Sequence, residues 1–169
     1  MQEQIILVNE QDEQVGTEEK LRAHELGLLH RAFSIFIFNS QGELMLQQRA
    51  LHKYHCGGLW TNTCCSHPRV GEDTAAAAHR RLQEEMGFDC ELREVFSFVY
   101  KIPFANGLTE HEFDHVFVGT YDADPVLNSE EAAAWKWISP ADLQAAIVAD
   151  PDTYTYWLKV ALPDLLGRM

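Results

Sequence analysis

The order of structural signals along this chain predicts an α+β fold in which a mixed sheet is sandwiched by helices. Three observations predict it. Strand-like apolar runs fall in two groups, one before residue 70 and one between residues 91 and 121. One strongly punctuated helix separates the groups. The remaining helical signals come last, at the C-terminal end. A doubly wound sheet would instead alternate strands with helices throughout. The 169 residues carry no repeat, low-complexity stretch or linker and suffice to bury a core without disulfides, so residues 1–169 are expected to form a single domain.

In chain order, residues 5–9 and 33–39 are short apolar runs of strand type. The turn Asn39-Ser40-Gln41-Gly42 joins the second run to residues 43–49 as a hairpin. Residues 50–60, rich in His, Gly and Tyr and without a period, read as a surface loop. An extended stretch follows over residues 60–67, closed by Pro68, which pushes His67 toward extended geometry. Asp73 caps a helix over residues 74–86, with the apolar stripe Ala75, Ala78, Leu82, Met86 and the terminator Gly87. Strands are predicted at residues 91–102 and 112–121, separated by a turn containing Asn106-Gly107. Pro140 starts a helix to about residue 149, and an amphipathic segment runs from about residue 153 to 166.

Composition narrows the function. No apolar run approaches the roughly 18 residues of a membrane span, and the N-terminus lacks a basic region before its apolar residues, so neither a membrane span nor a secretory signal is expected. The formal net charge of -13 repels nucleic acid and anionic lipid, which argues against both as partners. An anionic substrate must therefore be held by local basic groups or by metal. The four cysteines form no Cys-x-x-Cys pair, and the adjacent Cys64-Cys65 would make a strained bridge. They read as free thiols in a reducing, cytoplasmic setting.

Several short patterns carry chemistry. Cys65 and His67 are two apart, so on a strand both project from one face while Cys64 and Ser66 face the other. A buried core thiol beside a structural histidine would show the same spacing. Glu110 and Glu112 repeat the interval at a strand mouth, where two neighbouring carboxylates need a cation or a shared proton; a solvated strand end also fits. His24 and His30 flank Gly27 and can share a face across a turn. Three histidines and two glutamates would form a nitrogen and oxygen site suited to zinc, manganese or magnesium. In the helix, Arg80-Arg81 precede Glu84-Glu85 by one turn, which by itself reads as two surface ion pairs.

A longer pattern runs through that helix: Ser66, Glu72, Arg80-Arg81-Leu82, Glu84-Glu85, Gly87-Phe88. It resembles the Nudix box, a diphosphate and metal motif, with two departures. Ser66 stands for the first glycine, and Arg81 stands for a metal-binding glutamate of the hydrolases. These departures, with Thr61-Asn62-Thr63-Cys64-Cys65-Ser66-His67-Pro68, residues 27–34 and Glu110-His111-Glu112, resemble the type I isopentenyl-diphosphate isomerases over nearly the whole chain.

The resemblance implies a single Nudix-like catalytic domain with an N-terminal extension and C-terminal helices. It makes His24, His30, His67, Glu110 and Glu112 ligands of one divalent metal, and Cys65 and Glu112 the proton-transfer pair. It places Tyr100 beside Glu112 as a hydrogen-bonding partner and Trp60 against the isoprenoid carbons. Glu85 falls where a magnesium ion bridges to the substrate diphosphate. Lys20, Arg49, Lys53 and Arg81 match diphosphate contacts, and Trp157 resembles an aromatic that closes the pocket.

The implied reaction adds a proton to an isoprenoid alkene and removes another through a tertiary carbocation, interconverting isopentenyl and dimethylallyl diphosphate. Two carriers must flank the substrate in a dry pocket. The competing reading is a metal-dependent Nudix hydrolase of a diphosphate, against which Arg81 counts. A binding module with a degenerate box is the third. Oligomeric state is left open.

Overall fold

The computed structural model describes residues 3–53 and 55–169. β1 (Gln4–Val8) and β2 (Gln14–Glu19) form a hairpin, and α1 (Lys20–Leu26) leads into the central strand β3 (His30–Phe38). β4 (Leu44–Arg49), β5 (Trp60–Thr61) and β6 (Cys64–Ser66) precede α2 (Thr74–Met86). β7 (Arg93–Pro103), β8 (Thr109–Thr120) and β9 (Ala132–Ile138) follow, then α3 (Pro140–Ala149) and α4 (Tyr156–Gly167).

β3 is buried along nearly its whole length, and its alternation decides the architecture. Phe33, Ile35 and Ile37 pack with Ala77, Ala78, Leu82 and Met86 of α2. Phe36 and Phe38 face the other way, toward Leu143 of α3 and Leu158, Ala161 and Leu162 of α4. A strand covered on both faces reads as a continuous apolar run because successive side chains enter opposite cores. The helices therefore sandwich the mixed sheet, as the order of elements predicts.

β3 runs parallel to β8 in a register that pairs His30 with Glu112. β8 is antiparallel to β7, with Tyr100 opposite Glu112. β4 leaves β3 after the hairpin pair Phe38–Leu44 and instead runs antiparallel to β9. Asn62 and Thr63 tie the stretch between β5 and β6 to β3, and Thr63 also reaches across to β4. Asn62 Nδ2 donates to Ile35 O at 3.1 Å, and Thr63 Oγ1 accepts from Ile37 N at 3.0 Å while donating to Met45 O at 2.6 Å. The single extended stretch expected over residues 60–67 is split into β5 and β6 at these two residues.

α2 keeps its predicted bounds, with Asp73 accepting from Ala76 N and Gly87 at the C-terminal cap. Its stripe is shifted: Ala75 is exposed, and the buried set is Ala77, Ala78, Leu82, Glu85 and Met86. An apolar-only stripe passed over Glu85 because that carboxylate is buried for its partners. β2, α1 and β9 are absent from the sequence expectation. β2 is polar and largely exposed, α1 spans two turns, and β9 opens on alanines, so none carries a strong period. The loop over residues 50–60 is also less superficial than expected, since Ala50 and His55 are buried. No helix among the described residues is long and apolar enough to cross a membrane.

Candidate active site and metal centre

α1, β3, β6 and β8 converge at one end of the sheet. Glu19 caps α1 by accepting from Leu21 N and Arg22 N, and Gly27, in the left-handed region at φ 67°, turns the chain back so that His24 and His30 meet. Their ring centroids are 5.0 Å apart. His67, just beyond β6, completes the trio at 4.9 Å from His30. All three are buried, as are Glu110 and Glu112.

The tautomers show what this cluster is built for. His24 Nδ1 donates to Lys20 O at 2.7 Å and His30 Nδ1 donates to Leu28 O at 2.9 Å. A carbonyl can only accept, so in the neutral ring Nε2 carries a lone pair. That lone pair faces carboxylate: His24 Nε2 meets Glu110 Oε1, and His30 Nε2 lies 3.3 Å from Glu112 Oε2. His67 Nε2 lies 3.0 Å from the same Glu112 oxygen. Lone pairs and carboxylates pointed at each other repel unless a proton or a metal cation lies between them. Donor atoms of His24, His30, His67 and Glu112 fall within 4.8 Å of one another, as do those of His24, His55 and Glu110. This donor set fits a divalent cation, and the backbone-anchored imidazoles supply the outer support such a site requires.

Electrostatics in the metal-free cluster follow from burial against pairing. Burial pushes His67 down to about 4, Glu112 only partly opposing it. Burial also works against charge on His30, but Glu112 outweighs it and raises that imidazole. Glu110 is driven upward by burial, yet His24 and His55 hold it well below the ordinary carboxylate range.

A cleft opens beside the cluster, lined by charged and polar side chains together with Trp157. Cys65 and Glu112 both line it. Burial pushes the Cys65 thiol up to about 12, against the pull of Arg49, whose Nη1 lies 3.8 Å from Sγ. Cys64 is instead in the apolar core under α2, so the two thiols face opposite ways as their alternation predicts. Tyr100 is buried, and its hydroxyl donates to Glu112 Oε1 at 2.5 Å.

Lys20, Arg49, Lys53 and Arg81 also line the cleft, concentrating four cations in a strongly acidic chain. Arg81 binds Glu85 at 2.7 Å and Glu131 at 3.0 Å, and Lys53 pairs with Glu131. Glu85 accepts a further bond from Gln47 Nε2 at 3.0 Å. Trp157 lines the cleft from α4, with the Arg49 guanidinium 5.5 Å from its ring centroid.

The structure thus brings together at this end of the sheet every residue expected there except Trp60. That indole lies outside the cleft lining, packed on the C-terminal apolar core with Lys136 Nζ 4.5 Å from its ring centroid. Its backbone still serves the site, because Trp60 O accepts from Thr155 N at 3.0 Å and ties down the start of the helix that presents Trp157. Sequence reasoning missed His55, Gln47, Glu131 and Asp114. Asp114 continues the Glu110, Glu112 alternation by one more step, a signal that was available. The other three reach the site only through the fold.

A family model for the NUDIX domain matches residues 28–158. The chain is 57% identical over 167 residues to isopentenyl-diphosphate Delta-isomerase 2 of Aromatoleum aromaticum, covering 99% of this chain and 88% of that one. It is 53% identical over 165 residues to the isopentenyl-diphosphate Delta-isomerase of Serratia proteamaculans, covering 98% of this chain and 92% of that one. Among solved structures, a protein of Deinococcus radiodurans superposes with a TM-score of 0.81 at 25% identity, covering 96% of this chain and 98% of that one. A MutT Nudix hydrolase from Burkholderia pseudomallei gives a TM-score of 0.62 at 22% identity over 80% of this chain and 96% of that one, a likeness of fold alone.

Proposed function

The chain belongs to the isopentenyl-diphosphate Delta-isomerases of the Nudix family, and from that premise we propose that it interconverts isopentenyl and dimethylallyl diphosphate with Cys65 and Glu112 as its two proton carriers. The observation that carries the assignment of residues is that both line one cleft in complementary states. Cys65 keeps its proton, and Glu112, despite burial and the neighbouring Glu110, is held below the ordinary carboxylate range by His30 and His67.

A proton passes from sulfur to the alkene terminus, and a proton on the carbon across the resulting tertiary cation passes to the carboxylate. Arg49 faces the thiolate this leaves, and Tyr100 hydrogen-bonds the carboxyl. After product leaves, the proton returns from carboxyl to sulfur through solvent. Each residue is thus acid in one direction and base in the other. The cation between them needs an electron-rich wall that is not a nucleophile. Trp157 supplies an indole face in the cleft, worth about 2 kcal/mol beside a desolvated cation, while Trp60 holds the start of its helix.

His24, His30, His67, Glu110 and Glu112 would hold manganese, zinc or magnesium, which when bound supplies positive charge that orients Glu112 and tunes its proton affinity. Lys20, Arg49, Lys53 and Arg81 would bind the diphosphate, with Glu85 at the position for a magnesium ion carried in by the substrate. The guanidinium at position 81 disfavours the hydrolase alternative, since it pairs with carboxylates where that reading needs another carboxylate.

Replacement of Cys65 by alanine tests the reading. Isomerisation should fall by about 10²–10⁴-fold, the range for losing a general acid–base group, while circular dichroism shows an intact fold. Near-normal turnover by the folded variant sinks the assignment.

A further inference from the structure

Each oxygen of Glu110 faces an imidazole. His24 Nε2 approaches Oε1, and His55 Nε2 lies 3.6 Å from Oε2. Glu112 meets His30 and His67 in turn. Two carboxylates are therefore interleaved with four histidines, one more than the sequence resemblance implies. The donor atoms form two overlapping sets, His24, His30, His67, Glu112 and His24, His55, Glu110, with His24 common to both.

The loop that carries His55 is shaped to deliver it. Between β4 and β5 the chain folds back so tightly that a Cβ on Gly57 would lie 2.7 Å from Leu51 O. Cys56 adopts φ 56°, Gly58 N donates to Arg49 O at 3.0 Å, and Ala50 N donates to Glu131 O at 3.1 Å. The result directs Lys53 and His55, two residues apart, into the same cleft. His55 is only 8% exposed, with ring centroids 5.3 Å from His24 and 5.9 Å from Phe104. Burial of an imidazole in a surface-type loop costs free energy unless its polar atoms are used, and the group before Nε2 is a carboxylate shared with the metal cluster.

We propose that His55 is a fourth histidine ligand of the divalent cation, entering on the Glu110 side of the centre. This rests on the reading of the His/Glu cluster as a metal site. Four imidazoles and two carboxylates offer six donors, a set suited to a first-row transition ion that accepts six ligands. Tetrahedral zinc takes four, and magnesium and calcium prefer oxygen.

The test strips the enzyme with a chelator and reloads it with manganese(II). Pulsed electron paramagnetic resonance counts coordinated imidazole nitrogens, and competition with a chromophoric chelator measures affinity. The parent protein should show four imidazoles and His55→Asn three, with affinity weakened by at least the roughly 10–100-fold that loss of a merely supporting partner costs. A parent count of three that His55→Asn leaves unchanged overturns the proposal, whatever happens to affinity. His67→Asn serves as the control and should lose one imidazole and much of the affinity. If it alters neither, the metal reading itself fails, which separates the two outcomes. Should His55→Asn not fold by circular dichroism, the parent count of four or three still decides.

Discussion

Arg81 Nε donates to Ser66 Oγ at 3.1 Å, so the two positions at which the chain departs from the Nudix box are bonded to each other. A hydroxyl where the pattern has glycine meets a guanidinium where it has glutamate. The remaining Arg81 nitrogens bind Glu84 at 2.7 Å, Glu85 at 2.7 Å and Glu131 at 3.0 Å. The departures form a coupled replacement that places a cation at the cleft where hydrolases would place a metal ligand.

Restoring the box with Arg81→Glu should therefore damage the protein. It would set a carboxylate among three others and remove a cation proposed to receive the diphosphate. Isomerisation should fall at least about 10²-fold and metal-free stability by about 3 kcal/mol, the scale for breaking a largely buried pair. Urea titration and a turnover assay check both. Appearance of rapid phosphate release from nucleoside diphosphates would show instead that position 81 alone separates the two chemistries.

Glu131 sits between Lys53 and Arg81 as an anion already bound by the cations expected to receive diphosphate. Burial would raise its carboxyl, but Lys53 and Arg81 hold it below the ordinary value, so it is ionised at neutral pH. Glu131→Gln removes the carboxylate paired with Lys53 and one of the three paired with Arg81, and inorganic pyrophosphate should bind several-fold more tightly by calorimetry at low salt. Weaker binding would mean that Glu131 orders the cations and does not compete for them.

The Tyr100 hydroxyl makes a buried, charge-assisted bond to Glu112. Tyr100→Phe leaves the ring packing in place, so stability should fall by about 1.5–3 kcal/mol. Turnover should fall by about 10–10²-fold with little change in KM, because the bond acts on Glu112, the proposed proton carrier, and not on the diphosphate. A change confined to KM would place Tyr100 in substrate binding instead.

Asp114 is buried beside Ser34, whose Oγ donates to it at 2.8 Å, and burial followed by the Glu112 charge raises its carboxyl well above the usual 3.8. The folded chain thus keeps a proton that the unfolded chain loses above 3.8, so this group's contribution to stability is full below 3.8 and declines as pH rises toward its folded value. Asp114→Asn is neutral throughout and keeps an acceptor for Ser34. In metal-free protein the variant should gain on the parent as pH rises above 3.8, read from urea midpoints. A difference that does not widen with pH would show that Asp114 is ionised in the fold.

Much of the scaffold was legible because local chemistry specifies it. Asp73 and Gly87 bound α2, Pro140 starts α3, and the apolar run of residues 33–39 marks the central strand. Missing were β2, α1 and β9, whose residues are polar, few or small and are held in place by partners far along the chain. Residues 50–60 were legible as a loop, but not the inward course of His55 within it. Composition marks them as a loop, while the Gly57 contact and the Ala50 bond to Glu131 turn that loop inward with His55.

The sequence by itself determined which side chains share a face: Cys65 with His67 and not Cys64, and Glu110 with Glu112. Strand alternation is a property of neighbouring residues and needs no fold to read. Only the tertiary structure decided what those faces meet. The parallel register of β3 on β8 sets His30 against Glu112, and the antiparallel register of β7 sets Tyr100 there too. Register depends on how two distant cores close around one sheet, so the division of four histidines between two glutamates could be read only once the chain was folded.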